Sequence, residues 1–125
     1  IADILVMDPE VMILDEPAAS LDPKHTKIVR KIVEKLTERG ITVLMATHDM
    51  DYAFGWADEI VLMHEGRVLK KGMPLEVCAD RKVLEKTNLE MPAVLRLYEK
   101  MKEKGMVSSQ GEVPRTMEEL ERRLL

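Results

Sequence analysis

Aromatic side chains are scarce in this chain: one Phe, two Tyr and one Trp make up 3% of 125 residues. Any core is therefore expected to be mostly aliphatic, helped by ten methionines, whose flexible thioethers fill irregular gaps. Met7, Met12, Met45 and Met63 sit among Val, Leu and Ile, so they are expected in the core and not in a thioether metal site. Cysteine is nearly absent. Cys78 stands alone, which rules out an internal disulfide and a cysteine metal cluster, fits the cytoplasm, and predicts a buried, inert thiol. No apolar run approaches the ~20 residues that span a bilayer, and nothing resembles a signal peptide. A link to a membrane would run through a partner. An excess of positive charge is missing too. The net charge is −4, with lysines and arginines spread among acids, which argues against nucleic acid as a partner.

What is present is the balance of a globular protein: 46% hydrophobic and 34% charged residues, in a length that suits one core. The opening residues Ile1 to Met7 look like the middle or end of a helix without a start signal, and the chain begins with Ile rather than Met; a fragment of a longer protein is expected. Asp8-Pro9 breaks that helix. Val11-Met12-Ile13-Leu14 is a short continuous apolar run, as in a parallel strand buried on both faces. Asp22-Pro23 is a helix start. The helix carries Ile28, Ile32, Val33 and Leu36 as one apolar stripe and stops at Gly40. Residues 41–46 form a second buried strand, so strand, helix and strand make a parallel βαβ unit.

A short helix over 50–56 follows, then a strand over 59–63. Glu65-Gly66 turns the chain into an antiparallel hairpin partner over 67–72. Helices are expected over 74–79, 80–86 and 92–104, the last with Val94, Leu95, Leu97, Tyr98 and Met101 on one side. A polar, flexible linker is expected over 105–111. Thr116 caps a final helix to Leu125, with Glu119 completing a capping box and Met117, Leu120, Leu124 and Leu125 on its apolar face. The fold class is α/β: a parallel βαβ core, an antiparallel hairpin and a helical C-terminal tail. The expected division is 1–73, 74–111 and 112–125.

The chemistry gathers at strand ends. In open α/β sheets ligands sit outside the carboxyl ends of the strands. Asp15 and Glu16 stand there, two adjacent carboxylates that a cation or a shared proton would make less costly to hold. Mg²⁺ fits, with Asp15 holding it through water and Glu16 acting as general base toward a water. His48 follows the neighbouring strand at the same end and could donate to a phosphate. Taken singly, each has a plainer reading: solvated loop acids, a surface histidine, and for Asp22 a helix cap. His25 and His64 read as surface residues and not as metal ligands.

Together these residues resemble the ABC ATPase family. Val11-Met12-Ile13-Leu14-Asp15-Glu16-Pro17 resembles its Walker B segment with the trailing catalytic Glu. Ser20-Leu21-Asp22-Pro23 resembles its D-loop, and Thr47-His48-Asp49 its H-loop, in the family's order and spacing. The resemblance covers Ile1 to about Val77. It departs at Ala18, where the family often has Thr, and at Ser20, where it often has Gly or Ala. No G-x-x-x-x-G-K-[ST] loop and no Leu-Ser-Gly-Gly-Gln signature occurs. The chain corresponds to the C-terminal part of such a P-loop ATPase, and alone it is expected to be inactive. In the family a P-loop strand lies between the His48 strand and the third strand, so a gap in the sheet is expected.

The resemblance implies Mg-ATP hydrolysis where two ATPase subunits meet. Glu16 and His48 are the catalytic residues, Asp15 the Mg²⁺ residue, and Ser20 and Asp22 face the opposite subunit. A transmembrane subunit would receive the motion at the cytoplasmic face of the membrane, and the transported substrate would not touch this chain. The tail, Asn88-Leu89-Glu90-Met91-Pro92 and Pro114-Arg115-Thr116-Met117-Glu118-Glu119-Leu120, is similar to cobalt/nickel-type ATPases of energy-coupling-factor importers, whose C-terminal helices help to hold the ATPase pair. Two alternatives are a non-catalytic dimerisation or regulatory module, and an ABC ATPase of another class.

Overall fold

A computed structural model describes residues 9–17 and 20–124; the opening helix, Met7, Ala18 and Leu125 lie outside the described residues. The chain divides into two compact units, Ile1–His48 and Asp49–Leu125.

In the first unit, β1 (Val11–Asp15) pairs in parallel with β2 (Thr42–Ala46), joined through α1 (Pro23–Glu38). Asp22 starts α1 by accepting the His25 amide at 2.9 Å, and Pro23 supplies the fixed φ of the first turn. The helix ends in a Schellman motif. The Ile41 amide donates to Leu36 O and the Gly40 amide to Thr37 O, with Gly40 at φ +84°. That turn delivers the chain directly into β2, on which α1 packs. Val33, Leu36, Ile41, Met12 and Leu14 are buried.

The structure corrects the expectation of strands buried on both faces. Val11, Ile13 and Leu44 are 53%, 74% and 56% exposed. Successive strand residues point to opposite faces, and among the described residues of this unit only the Met12–Leu14 face of β1 is covered. Ile28 is likewise half exposed, one turn too far toward the start of α1.

In the second unit, α2 (Met50–Trp56) precedes an antiparallel hairpin of β3 (Ile60–His64) and β4 (Arg67–Gly72). Glu65 and Gly66 both have positive φ, +50° and +77°, the two-residue turn whose twist matches a hairpin. Four helices follow: α3 (Pro74–Cys78), α4 (Arg81–Thr87), α5 (Ala93–Glu103) and α6 (Met117–Glu121). Phe54, Ile60, Leu62, Val77, Cys78, Val94, Leu95, Tyr98, Val107 and Leu120 form one core. Burial pushes the Cys78 thiol up to about 11 against the opposing Arg115 charge, so it stays an unreactive core residue.

Several local expectations change. Met63 is 60% exposed because it alternates with the buried Leu62 on β3. Leu97 lies on the open side of α5. Val107, in the stretch read as a linker, is buried and forms an antiparallel bridge with Leu124. The final helix stops at Glu121, with Leu120 in the core and Met117 and Leu124 about half exposed. Its cap is as expected, Thr116 accepting the Glu119 amide. The Glu119 carboxylate, however, reaches one residue further back, to the Arg115 amide at 2.7 Å. Among the described residues β2 and β3 lie in separate two-stranded sheets.

Candidate active site

The parallel pairing builds the site. Its register sets Asp15 opposite Ala46, so both strands finish at one edge, and Glu16 on one faces Thr47 and His48 on the other. The Glu16 amide extends the ladder by donating to Ala46 O at 2.8 Å. Glu16 then leaves the strand direction with φ +44°, in the left-handed region that costs a non-glycine residue free energy. That turn sends its carboxylate across to the neighbouring loop.

Three donors meet the Glu16 carboxylate. The His48 amide reaches Oε1 at 2.6 Å, the His48 ring Nδ1 reaches the same oxygen at 2.8 Å, and the Thr47 hydroxyl reaches Oε2 at 3.1 Å. The His48 ring bond, and after it the amide and hydroxyl bonds, hold the carboxyl below its usual value of 4.5, against an opposing effect of partial burial. An ionised Glu16 can only accept, so Nδ1 must carry a proton. The other face of the ring is open: the His48 side chain is 92% exposed, that of Glu16 33%.

Asp15 ends β1 on its exposed face and forms no hydrogen bond or ion pair within the described residues. That suits Mg²⁺, which keeps several waters and is held through one or two carboxylates together with phosphate oxygens. Glu16 suits it less, since both its oxygens are engaged. Ser20 and Asp22 lie on the loop leading to α1, away from these contacts. Ser20 has φ +66°, a conformation that glycine adopts freely. Asp22 is occupied with its own helix, accepting both the His25 amide and ring, and these bonds keep its carboxyl below the usual range.

The structure thus brings Glu16 and His48 together directly, sets Asp15 beside Glu16 by sequence, and has Asp22 cap α1. Thr47 joins the site as a third donor that the sequence reading does not single out within the Thr47-His48-Asp49 motif. A hydroxyl next to a histidine at a strand end was the available signal. Asp49 caps α2 by accepting the Tyr52 amide at 3.0 Å.

Solved structures share the fold. Over 78% of this chain and 39% of the other, it is 45% identical to cbiO1 from Clostridium perfringens, described as part of the ABC transporter complex cbiONQ, with a TM-score of 0.56. An ATP-binding cassette of an ABC transporter aligns over 65% of this chain and 34% of its own length, at 28% identity and a TM-score of 0.57. The fold is that of part of an ABC ATPase domain. Among curated proteins, the energy-coupling factor transporter ATP-binding protein EcfA2 of Clostridium perfringens is 47% identical over 83% of this chain and 37% of its own. The EcfA2 protein of Methanospirillum hungatei is 39% identical over 94% of this chain and 29% of its own. The chain therefore spans about a third of the length of the ABC relatives it matches. A family model described as "AAA domain, putative AbiEii toxin, Type IV TA system" matches residues 1–53. Among the described residues no helix is long and apolar enough to cross a membrane.

Proposed function

We propose that this chain is part of the ATP-hydrolysing subunit of an ABC-type importer of the energy-coupling factor kind. The observation that carries the reading is the contact between Glu16 and the Thr47–His48 turn at the carboxyl edge of two parallel strands, with Asp15 beside it. In this reading Glu16 is the general base toward the attacking water. Its depressed pKa makes it a weak base while three donors hold it, so accepting a proton requires one donor to leave. The His48 ring is the exchangeable one, because it is almost wholly exposed. While Nδ1 donates to Glu16, the neutral ring leaves Nε2 as an acceptor. Donating to a phosphate oxygen from Nε2 therefore needs the doubly protonated ring or release from Glu16.

Mg²⁺, when bound, would neutralise phosphate charge, and Asp15 would hold it through water. Ser20 and Asp22 would face a second ATPase subunit. A transmembrane subunit at the cytoplasmic face of the membrane would receive the motion, and the cargo, of the cobalt or nickel class by the tail's resemblance, would not touch this chain. Nucleic acid has no place in this scheme. The acidic net charge and the transporter names of the relatives support that.

The test is to read the coding sequence upstream of Ile1 and assay the whole encoded chain. A phosphate-binding loop well ahead, a Leu-Ser-Gly-Gly-Gln signature next to Ile1 and Mg-dependent ATP turnover support the proposal. A start codon beside Ile1, with no ATP binding, would replace it with a non-catalytic interaction module.

A further inference from the structure

A general base must be aimed as well as ionised, and the backbone aims Glu16 only part of the way. Its positive φ turns the residue toward β2, and the bond from its amide to Ala46 O at 2.8 Å fixes its Cα beside the end of that strand. Three rotatable bonds still separate the Cα from the carboxylate. The groups that hold the carboxylate itself belong to the two residues after β2, Thr47 and His48, in the same unit as Glu16.

These two residues divide its oxygens. Oε1 takes both donors of His48, the amide at 2.6 Å and ring Nδ1 at 2.8 Å. Oε2 takes the Thr47 hydroxyl at 3.1 Å. A bond to one oxygen leaves a carboxylate free to swing about that contact, whereas a bond on each oxygen fixes its plane. The two holds differ in permanence. The His48 ring is almost wholly exposed and is the donor that leaves before Oε1 takes a proton from water. Thr47 is half-buried, and its branched Cβ restricts the χ1 that carries the hydroxyl. With the proton on Oε1, Oε2 becomes a carbonyl oxygen that still accepts the hydroxyl, so this contact lasts through the transfer.

We infer that Thr47 is a positioning residue for Glu16: its hydroxyl holds Oε2, so that the carboxylate keeps its plane and direction when the His48 ring leaves Oε1. The His48 amide stays behind on Oε1 as the second fixed point. The geometry stands without nucleotide. Its consequence for turnover rests on the ATPase reading.

Three-bond NMR couplings along the Glu16 side chain, measured on the whole encoded chain without nucleotide, report its rotamers. A single rotamer is expected in the unmodified protein, in T47S and in H48A, which keeps both the amide and the hydroxyl. T47V should give averaged couplings. At saturating Mg-ATP, T47V should lower kcat about 10- to 100-fold, as a misplaced reacting group does, with KM within about twofold. T47S, which restores the hydroxyl, should stay within about threefold of the unmodified chain. A single Glu16 rotamer in T47V, or averaged couplings in H48A, would overturn the inference. So would a T47V chain that melts at lower temperature yet turns over ATP at the unmodified rate, since that marks a purely structural threonine. If T47V does not fold, T47A removes the hydroxyl without setting a methyl against the carboxylate, and the same readouts decide. The couplings also separate this inference from the ATPase reading. Glu16 order lost in T47V but kept in T47S, in a chain without ATP turnover, would support the first and sink the second. Turnover lost in E16Q but unchanged in T47V would do the reverse.

Discussion

The two units of this molecule are built on opposite plans. The second unit surrounds Phe54, Leu95, Tyr98 and Val77 with helices and a hairpin, and even its single thiol is sealed in. The first unit holds Val33, Leu36, Met12, Leu14 and Ile41 behind a two-stranded sheet and leaves Val11, Ile13 and Leu44 open. Yet the first unit carries the carboxylates, the histidine and the two non-glycine residues at positive φ that aim or flank them, Glu16 and Ser20. Packing depth and chemistry are segregated. Thermal stability should therefore report mostly on the second unit, and activity mostly on the first.

The strongest challenge to that contrast is Phe54→Ala. Phe54 is 1% exposed, and truncation of such a phenylalanine costs about 3–5 kcal/mol. Amide exchange should show the loss across the second unit and leave Val33 and Leu36 protected. Equal loss in both would show that the units unfold as one. Next, Leu36→Ala should cost about 2–5 kcal/mol, confined to the first unit. Because α1 leads through Ile41 into β2, this change should also loosen the Glu16–His48 contact, which the His48 amide resonance would report. Gly40→Ala should cost about 1 kcal/mol by calorimetry. The space around it is open, so the penalty comes only from the left-handed backbone at φ +84°.

The smallest effect is acid sensitivity. The Glu16 carboxyl sits below its ordinary 4.5, so its bonds stabilise the fold fully above that pH. They are lost as pH falls through the lower folded value. Glu16→Gln should therefore flatten part of the acid limb of stability below about pH 4.5. A mutant with the unchanged acid limb would mean that the three donors do not hold the carboxylate in solution.

Much of this was legible in the sequence, for reasons that differ by residue. The ends of α1 are set by local chemistry, a capping Asp before Pro at one end and a left-handed Gly at the other, and local chemistry shows in a single chain. Asp15, Glu16 and His48 were legible through motif spacing together with the parallel pairing. Three features depend on contacts across the sequence and left little local signal. Which face of Val11 and Ile13 is covered depends on layers, not on apolar content. The burial of Val107 depends on the bridge from Leu124, seventeen positions later in number. The guanidinium of Arg115 donates to the Phe54 and Ala57 carbonyls, about sixty residues upstream, and in the sequence, among charged neighbours, it reads as one more solvated arginine.

In the proposed function, Glu16 and the Thr47–His48 turn form the hydrolytic centre of an ATPase. The most direct measurement is Mg-ATP turnover by the whole encoded chain, unmodified and as Glu16→Gln, at saturating ATP. The expected result is a fall in kcat of about 10²- to 10⁴-fold, the usual contribution of a general base, with KM for ATP little changed. Turnover within twofold of the unmodified chain would contradict it and return Glu16 to a structural role.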